Sequence, residues 1–235
     1  DAIMYPGTQA FMRHEAPSRL PAAVSDRALD VARRFLQAVG FTHGLFNMEF
    51  FYDAATDRLT VIEFNPRMAS QYSDLYQRVL GVDMHAMALA LAYGKDPAKV
   101  PRQAPTAGMA ASLVYRAFDP LAPVTLPTLA QSHAMLSAFP DALLFPYPKS
   151  AGSIARDYKW LGSYRFGIIH LSGRDAADLR QRCERASALL GWMAPYADAQ
   201  AQATLGTFSA QAPHTPPLAS GAAGRAVSST PQATP

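Results

Sequence analysis

A single cysteine, Cys183, stands in 235 residues, which excludes a disulfide framework and any zinc site built on several thiolates. That usage fits a reducing compartment and a cytoplasmic protein. Charge is scarce as well: 17% of the residues are Asp, Glu, Lys or Arg, against roughly 25% in ordinary soluble domains. The 21 basic and 18 acidic residues leave a net charge of +3, and Arg225 near the C-terminus supplies one of those charges. That balance is too small for a nucleic-acid-binding face. Long apolar runs are missing too. The longest, near Met84 to Tyr93, is about half of the ~20 residues needed to span a bilayer, so neither nucleic acid nor membrane is an expected partner. No lysine precedes Lys95, no glycine-rich stretch precedes Gly40, and no acidic residue follows Asp198. P-loop, dinucleotide fingerprint and G-x-S-x-G elbow are all absent, as is any repeat of solenoid period. The chain opens at Asp1 in mid-pattern, with neither a methionine nor a signal peptide, which reads as a fragment.

What is present reads as mixed α and β. Pro21 suits a first helical turn, and Val24, Ala28, Ala32, Phe35, Leu36 and Val39 follow at helical spacing until Gly40. Two β-rich runs, Leu45 to Tyr52 and Leu59 to Phe64, are separated by a polar connection of hairpin length. Leu75, Tyr76, Val79 and Leu80, then Met84, Met87, Ala88 and Leu91, predict a helical region broken at Gly81 and ended by Gly94. Met109 to Phe118 reads as a strand, and Pro120 to Pro148 as proline-punctuated loop. Phe166 to Leu171 reads as a buried strand leading into a helix with Leu179, Cys183, Ala186 and Leu190 on one face, which makes Cys183 a core residue and a poor nucleophile. Residues 199–235 are Ala, Ser, Thr, Gln and Pro in the main and bury too little surface to offset their ordering entropy, so a disordered tail is expected. The expected domains are 1–100, 101–198 and that tail.

The chemistry sits on the hairpin. Side chains alternate faces along a strand, so Asn47, Glu49 and Phe51 share one face, while Leu59, Val61, Glu63 and Asn65 share a face of the second strand. If those faces coincide, two carboxylates and an amide form an all-oxygen cluster suited to Mg²⁺, a hard ion that commonly shares its ligation with phosphates. Arg67, just beyond, carries a guanidinium able to hold a phosphoryl or carboxylate group by two-pronged hydrogen bonding. The bland alternative is a polar, wet face of a half-buried hairpin. It suits Glu49 taken alone better than it suits Glu63, Asn65, Pro66 and Arg67 taken together. The histidines at 43, 85, 133, 170 and 214 have no metal-ligand spacing.

The run V-I-E-F-N-P-R, Val61 to Arg67, resembles the ATP-grasp superfamily, whose members end their nucleotide-binding domain with such a strand. Gly44 to Asp53, G-L-F-N-M-E-F-F-Y-D, is similar to the preceding glutamate-bearing strand. Downstream, S-Q-Y-S-D-L-Y-Q-R-V-L-G-V-D-M and A-L-A-Y-G-K-D-P are similar to the following helix in the biotin carboxylase and carbamoyl phosphate synthetase branch. The resemblance covers about residues 2 to 97, with weaker similarity around 163 to 190. It implies an α+β fold: the C-terminal half of an ATP-grasp domain, a hairpin-centred and mainly antiparallel sheet with flanking helices, plus a small α/β C-terminal subdomain. It implies a carboxylate ligase that uses ATP and Mg²⁺, with Mn²⁺ as an alternative, to make an acyl phosphate for capture by an amine or similar nucleophile. By the same resemblance Glu49 and Glu63 bridge the metal to the phosphates, Asn65 is a third ligand, Arg67 contacts the reacting phosphoryl or acyl phosphate, and Phe51 packs against adenine. Arg13 and His14 lie where relatives carry a basic residue near the phosphates.

Two departures limit the resemblance. Met68-Ala69-Ser70-Gln71-Tyr72 lacks the glutamate that biotin carboxylase carries after its glutamine, so carboxylation of biotin is not expected, and a small carboxylate or amino acid is the open substrate class. The phosphate-holding lysines and glycine-rich flap of the family's first half are also missing. The chain alone is therefore expected to be inactive, its rivals being a non-catalytic remnant or one half of a split enzyme whose other half is a separate chain.

Overall fold

A computed structural model of the chain describes residues 1–122 and 124–196; the expected tail lies outside them. Its centre is a pair of strands whose sequences are apolar on both faces. β5 (Met109–Ala117) and β7 (Tyr164–Gly173) pair antiparallel from Met109 opposite Gly173 to Ala117 opposite Tyr164. β1 (Ala2–Met4), β2 (Phe11–Ala16) and β6 (Leu143–Pro146) complete a five-stranded sheet of order β1-β2-β5-β7-β6, antiparallel at every step. Strands from before residue 100 thus share a sheet with strands from after it.

Strand alternation sorts the core into two layers. Met109, Ala111, Leu113 and Tyr115 of β5 face α6 (Ala176–Leu190) and α4 (Leu129–Ala138), burying Leu179, Cys183, Ala186, Leu190 and Met135. Ala110, on the opposite face, packs with Ala16 against Leu75 and Val79 of α2 (Ser70–Leu80). Burial pushes the Cys183 thiol up to about 12, as expected of a core cysteine. α2 ends where Gly81 takes a left-handed conformation (φ 65°), and a Cβ there would strike the Gln103 carbonyl. α3 (Met84–Ala92) then follows, capped by Asp83, whose side chain accepts from the Ala86 N–H. Among the described residues, no helix is long and apolar enough to cross a membrane.

The segment from Pro120 to Pro148 departs from the loop expected of it, holding α4 and β6. Only Met135 of α4 is buried, so its apolar periodicity is faint. Its start nevertheless carries a capping box in which Thr128 and Gln131 cap each other's backbone N–H. α5 (Ala151–Leu161), with no buried residue, lies beyond it.

The hairpin stands apart as its own two-stranded sheet, β3 (Asn47–Asp53) with β4 (Arg58–Asn65). Its link to α1 (Ala22–Ala38) and the segment just after it is aromatic: Phe64 meets Phe35 of α1 at 4.9 Å and Phe41 beyond α1 at 5.6 Å between ring centroids. Arg27 of α1 grips the turn through both Asp57 oxygens, at 2.7 and 2.9 Å.

Candidate functional site

Glu49 and Glu63 are direct register partners across β3 and β4, flanked by Met48 opposite Phe64 and Asn47 opposite Asn65. Directly opposed residues of an antiparallel pair share a face, with Cβ atoms about 5 Å apart, so both carboxylates and both amides project to one side. Each carboxylate is steadied by an amide on its own strand. Asn65 Nδ2 donates to Glu63 Oε1 at 2.6 Å, and Asn47 Nδ2 to Glu49 Oε1 at 3.3 Å. Arg67 follows within reach, its Nη2 3.5 Å from Asn65 Oδ1.

The β3–β4 register departs from strict alternation. It shifts between Glu49 and Phe50, so that Phe50 opposes Val61 and Phe51 opposes Thr60, leaving Ile62 as the extra residue of a bulge. Beyond it, Thr60 and not Val61 or Leu59 lies on the carboxylate face, contrary to a strict alternation through β4. The bulge sits one residue from Glu63, where it re-aims the end of the strand. Phe51 stands on the carboxylate side by β3 alternation and is 63% exposed.

The first turn of α2 packs on the five-stranded sheet. Tyr72 is pushed up to about 12, mainly by burial, with Glu49 raising it further and Arg67 opposing, which places its hydroxyl in the field of both groups. Gln71 Nε2 donates to Ser112 Oγ on β5 at 2.9 Å. The Tyr72 ring lies 4.8 Å from that of His14, a residue 8% exposed whose ring nitrogens are buried without a hydrogen-bond partner among the described residues. Burial, aided by the Asp1 ammonium and His170, pushes His14 down to about 4, so it is neutral near pH 7. Arg13 is engaged elsewhere: its Nε is 2.6 Å from Glu15 Oε1 and its guanidinium lies over the Tyr196 ring. Tyr72 and Gln71 lie inside the motif-bearing segment, and the packing of α2 on β2 and β5 sets Gln71 against Ser112 and Tyr72 within the field of Glu49.

Among the described residues, no three His, Cys, Asp or Glu side chains gather as a metal cage. Two carboxylates with an amide oxygen nearby is the donor set that Mg²⁺ takes when substrate phosphates complete its shell, so the residues present fit that ion.

Residues 8–99 match the family described as carbamoyl-phosphate synthase L chain, ATP binding domain. Carnosine synthase 1 of Gallus gallus is 39% identical over 90 residues, which is 38% of this chain and 10% of that protein. D-alanine–D-alanine ligase of Gluconobacter oxydans (strain 621H) is 47% identical over 53 residues, 23% of this chain and 17% of that one. Among solved structures, N5-carboxyaminoimidazole ribonucleotide synthetase from Thermus thermophilus aligns with a TM-score of 0.54 at 18% identity, over 82% of this chain and 45% of that chain. The structural likeness is one of fold. The chain spans less than half the length of each of these three proteins.

Proposed function

We propose that this chain, a member of the ATP-grasp superfamily through residues 8–99, supplies the metal and phosphate side of a ligase that activates a small carboxylate or amino acid with ATP. The observation that carries the reading is the direct pairing of Glu49 with Glu63, with Asn65 closing β4 and Arg67 two residues beyond it.

In this reading Glu49, Glu63 and Asn65 hold Mg²⁺, which when bound neutralises phosphate charge. Arg67 offers a planar pair of N–H donors to the transferring phosphoryl group or to the acyl phosphate. Phe51 presents an exposed ring for the adenine. A substrate carboxylate oxygen attacks the γ-phosphorus as the bond to ADP breaks; an amine then displaces phosphate from the acyl carbon and gives up its proton. Tyr72, raised to about 12 mainly by burial and further by Glu49, keeps its proton near neutral pH.

A ligand held on the open hairpin stays in contact with water, where charge interactions are weak. Binding by this chain is therefore modest, and turnover belongs to a polypeptide that also carries cationic and backbone N–H partners for the β- and γ-phosphates. The test has two parts. Mn²⁺ titrated into the chain and followed by electron paramagnetic resonance should bind, with Glu63→Gln weakening it at least tenfold. ADP release with a panel of amino and carboxylic acids, measured on the full gene product, should fall by orders of magnitude in Glu63→Gln and Arg67→Ala with the fold intact. Undiminished turnover in Glu63→Gln would sink the assignment, and metal binding without turnover in the full gene product would favour a non-catalytic remnant.

A further inference from the structure

A second concave site does not touch the hairpin. It is an open cleft of about 740 Å³ at the end of the sheet where β5 begins and β7 ends, and three guanidiniums line it: Arg78, Arg174 and Arg182. They come from the last turn of α2, the loop after β7 and the middle of α6. We propose that this cleft binds a small, multiply charged oxyanion through these three arginines.

A guanidinium carries five N–H donors and no acceptor. The carboxylates lining the cleft are already engaged. Asp141 Oδ1 takes Arg182 Nη2 at 2.6 Å, and its Oδ2 takes the Ser172 hydroxyl at 2.6 Å and Arg78 Nη1 at 3.4 Å. Asp178 Oδ2 takes the Arg174 backbone N–H at 2.8 Å and its Nε at 3.4 Å. One carboxylate, Asp141, is thus shared between two arginines, while their guanidiniums, with five N–H donors each, carry more donors than that carboxylate can engage. The hydrogen-bonding capacity left in the cleft is therefore chiefly donor capacity, and the complementary ligand is rich in acceptors.

The two inner arginines are also held in place. Arg78 is fixed by Asp74, at 2.9 Å from its Nε, and Asp74 in turn meets His170 Nδ1 at 3.2 Å. Arg182 lies over the Phe139 ring, 5.1 Å from its centroid. A guanidinium fixed before binding loses less side-chain entropy when it takes a carboxylate or phosphate in two-pronged geometry. Arg174 is the outermost of the three, its side chain 85% exposed. Counting Asp74, Asp141 and Asp178 against the three arginines leaves no net charge, so the attraction is short-ranged and discriminates by geometry. Phosphate esters and di- or tricarboxylates share the required chemistry.

The test titrates the full chain, without divalent metal and at constant ionic strength, with inorganic pyrophosphate and separately with citrate, using chloride as the control. Calorimetry or ¹⁵N chemical shifts read the binding. At least one of the two anions should bind saturably, and which one does separates phosphate from carboxylate as the ligand class. Arg182→Gln should weaken it at least fivefold. Should Arg182→Gln misfold by circular dichroism, the exposed Arg174→Gln carries the same test with an expected loss of twofold or more. Glu63→Gln and Arg67→Ala should leave this binding unchanged. The proposal fails if neither anion binds beyond chloride, if a folded Arg182→Gln binds as wild type, or if the hairpin variants abolish binding, which would place the anion at the other site.

Discussion

Opposing two carboxylates across a hairpin has a cost that a bound cation removes, and the size of that cost can be worked out. Like charges directly opposite in an antiparallel pair destabilise it. For charges about 6 Å apart at the dielectric of water the repulsion is about 0.7 kcal/mol, reduced by salt. Replacing Glu63 by Gln keeps the Oε1 that accepts from Asn65 Nδ2 and removes only the charge. In EDTA at low ionic strength the variant should therefore be as stable as the wild type or slightly more so, by roughly 1–3 °C in Tm. Magnesium should reverse the order. For a dissociation constant of about 1 mM, 10 mM Mg²⁺ adds about 1.4 kcal/mol to the wild type, or roughly 3–6 °C, and much less to Glu63→Gln. Paired thermal melts with and without magnesium measure both signs. A variant that melts well below the wild type in EDTA, or that gains as much from magnesium, would refute the electrostatic account of the pair.

Acid should weaken the fold through His14. Burial holds its folded pKa near 4 while the unfolded imidazole protonates near 6.5, so the unfolded chain binds the extra proton and stability falls as pH drops from about 6.5 to 4, by about 3 kcal/mol in all. Urea unfolding at several pH values should show that slope and lose most of it in His14→Phe. Tyr115→Phe removes a buried hydroxyl 2.8 Å from Ser187 Oγ and should cost about 1 kcal/mol in the same assay. Gly81→Ala combines φ 65° with a Cβ driven into the Gln103 carbonyl. The expected loss is at least about 2 kcal/mol, read as a lower denaturation midpoint with unchanged slope.

Legibility from sequence followed the reach of the forces. The hairpin was readable because its strands are dense in β-branched and aromatic residues around a polar turn, and the break between α2 and α3 because Gly81 is a local stop signal. The shared face of Glu49 and Glu63 needed the register, which agrees with the motif at that end of the hairpin. The bulge at Ile62 was not readable, since an unpaired residue is a property of two strands and not of one. β1 and β2 leave no sequence signal for a related reason: β2 gains its burial from β5, about a hundred residues later, and its polar Arg13, His14 and Glu15 hide that. α4 lacks a clear apolar stripe because it offers the core little more than Met135, and its capping box, Thr128 with Gln131, is its one local sequence signal.

The hairpin's separation from the five-stranded sheet also bears on how the chain breathes. β5 is buried over Met109–Tyr115 and must open with the whole fold, whereas β3 and β4 have no buried residue and are tied down by an aromatic cluster and one arginine at the turn. Their amides should therefore exchange with solvent through a local opening of lower free energy than that of β5 and β7. A ligand that requires the closed hairpin slows that exchange by a factor of one plus its concentration over its dissociation constant. Deuterium uptake on Asn47–Asp53 and Arg58–Asn65 would then act as a titration curve for whatever the paired carboxylates hold, readable even where no turnover occurs.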